Sequence, residues 1–86
     1  MRILVTGAAG FIGSNLVKTI FARLSDAQVV GIDNMNDYYD PALKEERLSE
    51  LERYEGFTFV KGNIADRSLI DETFASFKPE IVVNLA

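Results

Sequence analysis

The 86-residue sequence contains no cysteine and no histidine. The first absence excludes disulfides and thiol nucleophiles. The second removes the commonest metal ligand, so no metal site is expected, and together they leave the redox compartment open. Basic residues are also scarce: nine Lys and Arg stand against thirteen Asp and Glu, for a net charge of −4. With no cluster of Lys and Arg to offset that balance, a phosphate-backbone partner such as nucleic acid is not expected. No apolar run approaches the ~20 residues of a membrane span. The short run Ile3-Leu4-Val5 behind Met1-Arg2 is too brief for a signal peptide and leads directly into an amphipathic helix. A cytoplasmic protein without a membrane partner is the expectation. Low-complexity segments and internal repeats are absent as well.

What is present is the composition of a globular chain, 48% hydrophobic and 26% charged. Its length allows one small domain, which buries roughly 60–65% of the surface that the unfolded chain exposes and is correspondingly marginal in stability.

The segment from Ile3 to Asp33 organises the rest. Ile3-Leu4-Val5 reads as a strand buried on both faces. Thr6-Gly7-Ala8-Ala9-Gly10-Phe11-Ile12-Gly13-Ser14 is a glycine turn opening a helix, in which Ile12, Leu16, Ile20 and Leu24 recur every four residues with Val17 and Phe21 beside them. Gln28-Val29-Val30-Gly31-Ile32-Asp33 is a second buried strand ending in an acid. A strand that turns at once into a helix needs backbone angles that a side chain obstructs, a role suited to Gly7. A missing Cβ at Gly10 would let phosphate reach the helix's first N–H groups, and Gly13 would let the helix lie close on the strands. Asp33 follows Gly13 by twenty residues, the interval expected for an acid that accepts hydrogen bonds from an adenosine ribose. The spacing is G-x-x-G-x-x-G and not G-x-G-x-x-G, so the dinucleotide reading rests on strand, turn, helix and acid together. The plainer alternative is a turn that merely joins strand to helix, with Asp33 capping a turn.

Beyond Asp33, residues 34–40 have no period and read as a loop. Asp40-Pro41 has the form of an N-cap followed by a first helical residue. The helix it opens is expected to reach about Arg53, with Leu43, Leu48 and Leu51 apolar and Lys44, Glu45, Glu46, Arg47, Glu50 and Glu52 largely in water. Phe57-Thr58-Phe59-Val60 is a third strand. Asp66 or Ser68 would cap a helix to Phe77 with Leu69, Ile70, Phe74 and Phe77 facing inward, and Ile81 to Ala86 is a fourth strand. Strands alternating with helices predict an α/β, Rossmann-like parallel sheet in the order 3-2-1-4, with the first two helices on one face and the third on the other. The switch point falls between the first and fourth strands. The fourth strand would be a hydrophobic edge, from which a homodimer or higher oligomer is expected.

The glycine turn resembles the opening motif of the extended short-chain dehydrogenase/reductase family, the NAD-dependent nucleotide-sugar epimerases and dehydratases. The resemblance continues through Gly31-Ile32-Asp33-Asn34-Met35-Asn36-Asp37-Tyr38-Tyr39-Asp40, Leu43-Lys44, Arg47-Leu48 and Gly62-Asn63-Ile64-Ala65-Asp66. The stretch after Gly31 is most similar to the UDP-glucuronate or UDP-galacturonate 4-epimerase branch, whose members serve capsule and cell-envelope polysaccharide synthesis. The resemblance implies NAD as cofactor. The pyrophosphate would lie on the turn at Gly7, Gly10, Phe11, Ile12 and Gly13, and the adenosine ribose at Asp33, supported by Asn34 and Asn36. Asn63 and Ile64 would border the adenine, with Leu85 and Ala86 lining the cofactor. NAD is expected over NADP, because Asp33 repels a 2′-phosphate and no Arg or Lys stands among Asn34, Met35 and Asn36.

Two departures stand out. The family usually has Asp where this chain has Asn63, whose carbonyl oxygen can accept the same bond without charge; the alternative is that Asn63 fixes its own turn. Leu85 and Ala86 can equally be sheet core, and Tyr38 and Tyr39 are expected to pack over the second helix. The family also catalyses with a Ser or Thr and a Tyr-x-x-x-Lys pair well downstream of the fourth strand. Here Ala42, Leu43 and Thr58 stand four residues after Tyr38, Tyr39 and Tyr54. The resemblance therefore implies that residues 1–86 form the N-terminal part of an NAD-binding Rossmann domain, a truncated half without catalytic residues or a sugar-binding part. In the intact parent, NAD+ would take a hydride from C4 of a UDP-sugar and return it to the other face of the 4-keto intermediate. A 4,6-dehydratase or reductase parent, and a catalytically inert nucleotide-binding or structural fragment, are the alternatives.

Overall fold

A computed structural model describes residues 1–35 and 41–86 of the chain. In chain order the elements are β1 (Arg2–Thr6), α1 (Phe11–Arg23), β2 (Gln28–Asp33), α2 (Pro41–Leu51), β3 (Phe57–Lys61), α3 (Arg67–Phe77) and β4 (Ile81–Asn84). The expectations for Asn36, for Tyr38 and Tyr39, and for Asp40 as a cap with Pro41 behind it lie outside the described residues and side chains.

All four strands pair in parallel, in the order β3-β2-β1-β4. Val5 lies between Gly31 and Val83, and Thr6 between Ile32 and Asn84. β1 and β2 are buried along almost their whole length, as strands covered on both faces must be, which is why their sequences are continuously apolar and not alternating.

The handedness of the crossovers sets which helix covers which face. On one face Ile3, Val5, Val29 and Phe57 pack with Val17 of α1 and Leu51 of α2, joined by Leu16, Ile20, Phe21 and Leu48. The Phe21 and Tyr54 rings stack there with centroids 4.6 Å apart. On the other face Leu4, Val30 and Ile32 meet Ile70 and Phe77 of α3.

The periodicity of the helices overstates their buried stripes. Ile12 is 68% exposed and Leu24 is exposed as well, because they stand at the two ends of α1, past the strands that cover its middle. In α3 the inward positions are Ile70, Thr73 and Phe77, while Phe74 is exposed. Thr73 tolerates burial because its hydroxyl donates to the Leu69 carbonyl at 2.8 Å. Asp66 is the cap of α3, accepting the Leu69 N–H, and Lys78 closes the helix in the left-handed conformation. α2 closes at Leu51 and Leu43 on it is exposed. β4 ends at Asn84, two residues before the expected Ala86.

Candidate functional site: the cavity at the C-terminal ends of the strands

The turn after β1 is built by backbone. Gly7 has φ +73°, which a side chain would strain, and its N–H donates to the Ile32 carbonyl at 2.7 Å, with the Ala8 N–H reaching the same oxygen at 3.3 Å. A Cβ on Gly13 would overlap the Gly7 carbonyl, so glycine there lets α1 seat against the turn. Gly10 differs: a Cβ on it would meet only the Gly7 carbonyl oxygen, at 3.3 Å. That single tight contact could be relieved by a shift of a few tenths of an ångström, so packing demands glycine less here than at Gly13. Among the described residues no side chain caps α1 and no acid stands in its first turn, so no such group offsets the positive end of the helix dipole.

Asp33 is 5% exposed. Its Oδ2 accepts the Ala9 N–H at 3.0 Å, tying the end of β2 to the glycine turn, and its Oδ1 accepts the Met35 N–H at 2.8 Å. Lys44 of α2 donates to the same Oδ1 at 3.0 Å, with its side chain only 16% exposed. The expectation that Lys44 lies in water is therefore corrected. Thr6 organises the opposite wall. Its hydroxyl donates to Asn84 Oδ1 at 2.5 Å and accepts the Leu85 N–H at 3.1 Å, fixing the chain as it leaves β4.

Between these walls lies a cavity of about 400 Å³, lined by Gly7, Gly10, Ile32, Asp33, Asn34, Lys44, Gly62, Asn63, Ile64, Leu85 and Ala86. It opens at the carboxyl ends of the strands, at the point where their order reverses, and its size is within the roughly 300–1,000 Å³ of small-molecule sites. Gly7, Gly10, Asp33, Asn34, Asn63, Ile64, Leu85 and Ala86, nominated from residues 1–86 far apart in the chain, come together on it. Phe11, Ile12 and Gly13 do not line it: Phe11 and Ile12 are each 68% exposed on the first turn of α1, and Gly13 is buried. Asn63 Oδ1 accepts the Ala65 N–H at 2.9 Å, so Asn63 fixes its own turn and lines the cavity at once. Sequence reasoning missed Lys44, Thr6 and Gly62. A signal for Lys44 was available in its position near the start of α2, just beyond the loop that leaves Asp33.

A second, shallower groove between α1 and α2 carries Phe11, with the Arg47 guanidinium 5.8 Å from its ring centre, and the Lys18–Glu50 ion pair. Lys18 holds the Glu50 carboxyl below the usual carboxylate range, by hydrogen bond and then by charge. Among the described residues no three carboxylates gather to hold a metal ion, and no helix is long and apolar enough to cross a membrane.

Comparison with known proteins agrees with this architecture. The probable UDP-glucuronate 4-epimerase of Rhizobium meliloti is 43% identical over 88 aligned residues, covering all of this chain and 25% of that protein. A crystal structure of UDP-glucuronic acid 4-epimerase from Bacillus cereus, in complex with UDP-glucuronic acid and NAD, superposes with a TM-score of 0.85 at 36% identity. The match covers all of this chain and 26% of the epimerase. The NAD complex of dTDP-glucose 4,6-dehydratase from Bacillus anthracis superposes with a TM-score of 0.89 at 29% identity, again over the whole of this chain and 26% of that one. The chain thus spans about a quarter of the length of the curated relatives it matches. The model of the NAD dependent epimerase/dehydratase family matches residues 3–86, and with its 3-2-1-4 sheet, glycine turn and strand-end acid the chain belongs to that family.

Proposed function

We propose that this chain binds the adenosine and pyrophosphate portions of NAD, as the N-terminal part of the cofactor domain of a UDP-sugar 4-epimerase of the UDP-glucuronate/UDP-galacturonate type. The observation that carries the reading is the juxtaposition at the switch point of a helix start with no side-chain cap, the cavity-lining glycines Gly7 and Gly10, and the Asp33 carboxylate beneath the turn. The residues fit the cofactor. Gly7 and Gly10 with the first turn of α1, at Phe11, Ile12 and Gly13, would take the pyrophosphate. Asp33 would accept the ribose hydroxyls with Asn34 and Asn36 beside it. Asn63 and Ile64 would border the adenine, and Leu85 and Ala86 would line the path leading away from it.

Bound NAD supplies a hydride acceptor and donor for C4 of the sugar. The 86 residues supply orientation and hold no Tyr-x-x-x-Lys pair. A proton-transfer group must lie within hydrogen-bond reach of the sugar hydroxyl, so epimerisation requires residues outside this chain, and the chain alone is expected to show no turnover. Identities of 43–45% to UDP-glucuronate 4-epimerases favour that branch. The 4,6-dehydratase likeness keeps dehydration as the second reading, since the two branches share this half-domain. Titration calorimetry of the chain with NAD tests the cofactor reading, and an absence of saturable binding overturns it. Incubating a protein that contains this chain with UDP-glucuronate tests the reaction: NMR should show the C4 epimer. No epimer there, with a 4-keto-6-deoxy product from dTDP-glucose, whose C6 hydroxyl can leave as water, would point to the dehydratase.

A further inference from the structure

We propose that Lys44 is a specificity-determining residue for the cofactor: a cation held at the adenosine-ribose end of the cavity and neutralised by Asp33, so that discrimination against a 2′-phosphate is set by the Asp33–Lys44 pair and not by Asp33 alone. This rests on the NAD reading above and deepens it.

Sequence reasoning about cofactor choice inspects the residues just after the strand-end acid, and Asn34, Met35 and Asn36 carry no positive charge. The fold brings one from the next helix. Lys44 Nζ lies 3.0 Å from Asp33 Oδ1, the two side chains are only 16% and 3% exposed, and both line the cavity. An isolated carboxylate would present a full negative charge to a phosphate on the ribose 2′ position. Paired with an ammonium at hydrogen-bond distance, it presents close to none. Lys44 therefore softens the exclusion that Asp33 provides, and it lines the same cavity beside the carboxylate assigned to the ribose. A compact ammonium binds phosphate as a point charge without demanding a fixed geometry, so Lys44 is a latent phosphate ligand that the carboxylate holds in check.

The test is a two-residue cycle read by titration calorimetry of the full chain with NAD and with NADP. Asp33→Asn keeps an oxygen for the Ala9 N–H but removes the negative charge that lies 3.0 Å from Lys44 Nζ. It should shift the NAD-to-NADP affinity ratio toward NADP by about tenfold or more. Lys44→Met should shift the ratio several-fold the other way. In the double variant Asp33→Asn, Lys44→Met the gain in NADP binding should disappear. Circular dichroism checks the fold of each variant, and Lys44→Met alone carries the test if Asp33→Asn does not fold. An unchanged ratio in Lys44→Met, or NADP binding by the double variant as tight as by Asp33→Asn, overturns the proposal while NAD binding by the unaltered chain leaves the cofactor reading standing. Failure of the unaltered chain to bind NAD overturns both.

Discussion

The Asp33 carboxylate accepts the backbone N–H of Ala9 at 3.0 Å, across the gap between the end of β2 and the glycine turn. The acid that the cofactor reading assigns to the ribose is thus also a strut of the turn that would hold the pyrophosphate. Both ends of the cavity depend on one side chain, and that side chain is buried before any ligand arrives. Asp33→Ala should therefore act twice. It leaves the Ala9 N–H without its acceptor, costing about 1–3 kcal/mol, and it weakens NAD binding. Urea unfolding and calorimetry on the same sample separate the two losses, and unchanged stability would show that the turn holds itself.

The glycines of the turn should divide into two kinds. Gly13→Ala drives a methyl into the Gly7 carbonyl and is expected to cost about 1–3 kcal/mol or more, as overpacking does. Gly10 has an ordinary extended backbone, φ −73° and ψ 170°, and its added methyl would meet one oxygen. Gly10→Ala should change stability by only about 0.5–1 kcal/mol and yet impair NAD binding. Equal stability losses at the two positions would refute the distinction.

Thr6→Val removes the hydroxyl that joins β1 to Asn84 and Leu85 while keeping the shape of the side chain. A loss of about 1 kcal/mol is expected, with faster hydrogen exchange at the Leu85 amide, which retains only its 3.1 Å bond to the Thr6 carbonyl. Exchange at Leu85 no faster than in the unaltered chain would mean that the backbone bond alone holds this wall.

The ion pair between α1 and α2 predicts a pH dependence. The carboxyl of Glu50 is held below its ordinary value of 4.5 by the hydrogen bond and then the charge of Lys18. A lowered folded-state value contributes stability above the unfolded value, and that contribution is lost as pH falls through the folded one. Both side chains are substantially exposed, so the effect is small. Comparing Glu50→Gln with the unaltered chain, the gap in urea midpoint present at about pH 7 should narrow as pH falls below 4.5. A gap that persists in acid would assign it to packing.

β4 is an edge strand with Ile81, Val82 and Leu85 exposed, and Phe74 of α3 is exposed as well. Unpaired backbone beside apolar side chains is a template for a second copy. Sedimentation equilibrium at low micromolar concentration should show dimers or larger species, and Val82→Lys should shift them toward monomer. A monomer in the unaltered chain would sink the expectation.

The residues by themselves determined the elements and their order. Buried parallel strands are continuously apolar, as Ile3 to Val5 and Val29 to Ile32 are. The interval from Gly13 to Asp33 spans one helix and one strand, and crossover handedness leaves few ways to arrange four such strands. Local pattern also located the glycine turn, Asp33 and the switch point, which follows from strand order, whereas Asn34, Asn63, Ile64, Leu85 and Ala86 on the cavity were reached through the family resemblance. Only the tertiary structure decided how the cavity is finished. Lys44 reads as one of several charges on a polar helix face, and its partnership with Asp33 depends on how α2 seats against the sheet. The Thr6 contact to Asn84 joins strands at opposite ends of the chain. Helical period marked a stripe on α1 running to Ile12 and Leu24, yet what a stripe buries is limited by the surface it meets, and the sheet covers only its middle. Periodicity and spacing are properties of neighbours in the chain, whereas charge pairing and burial are properties of neighbours in space.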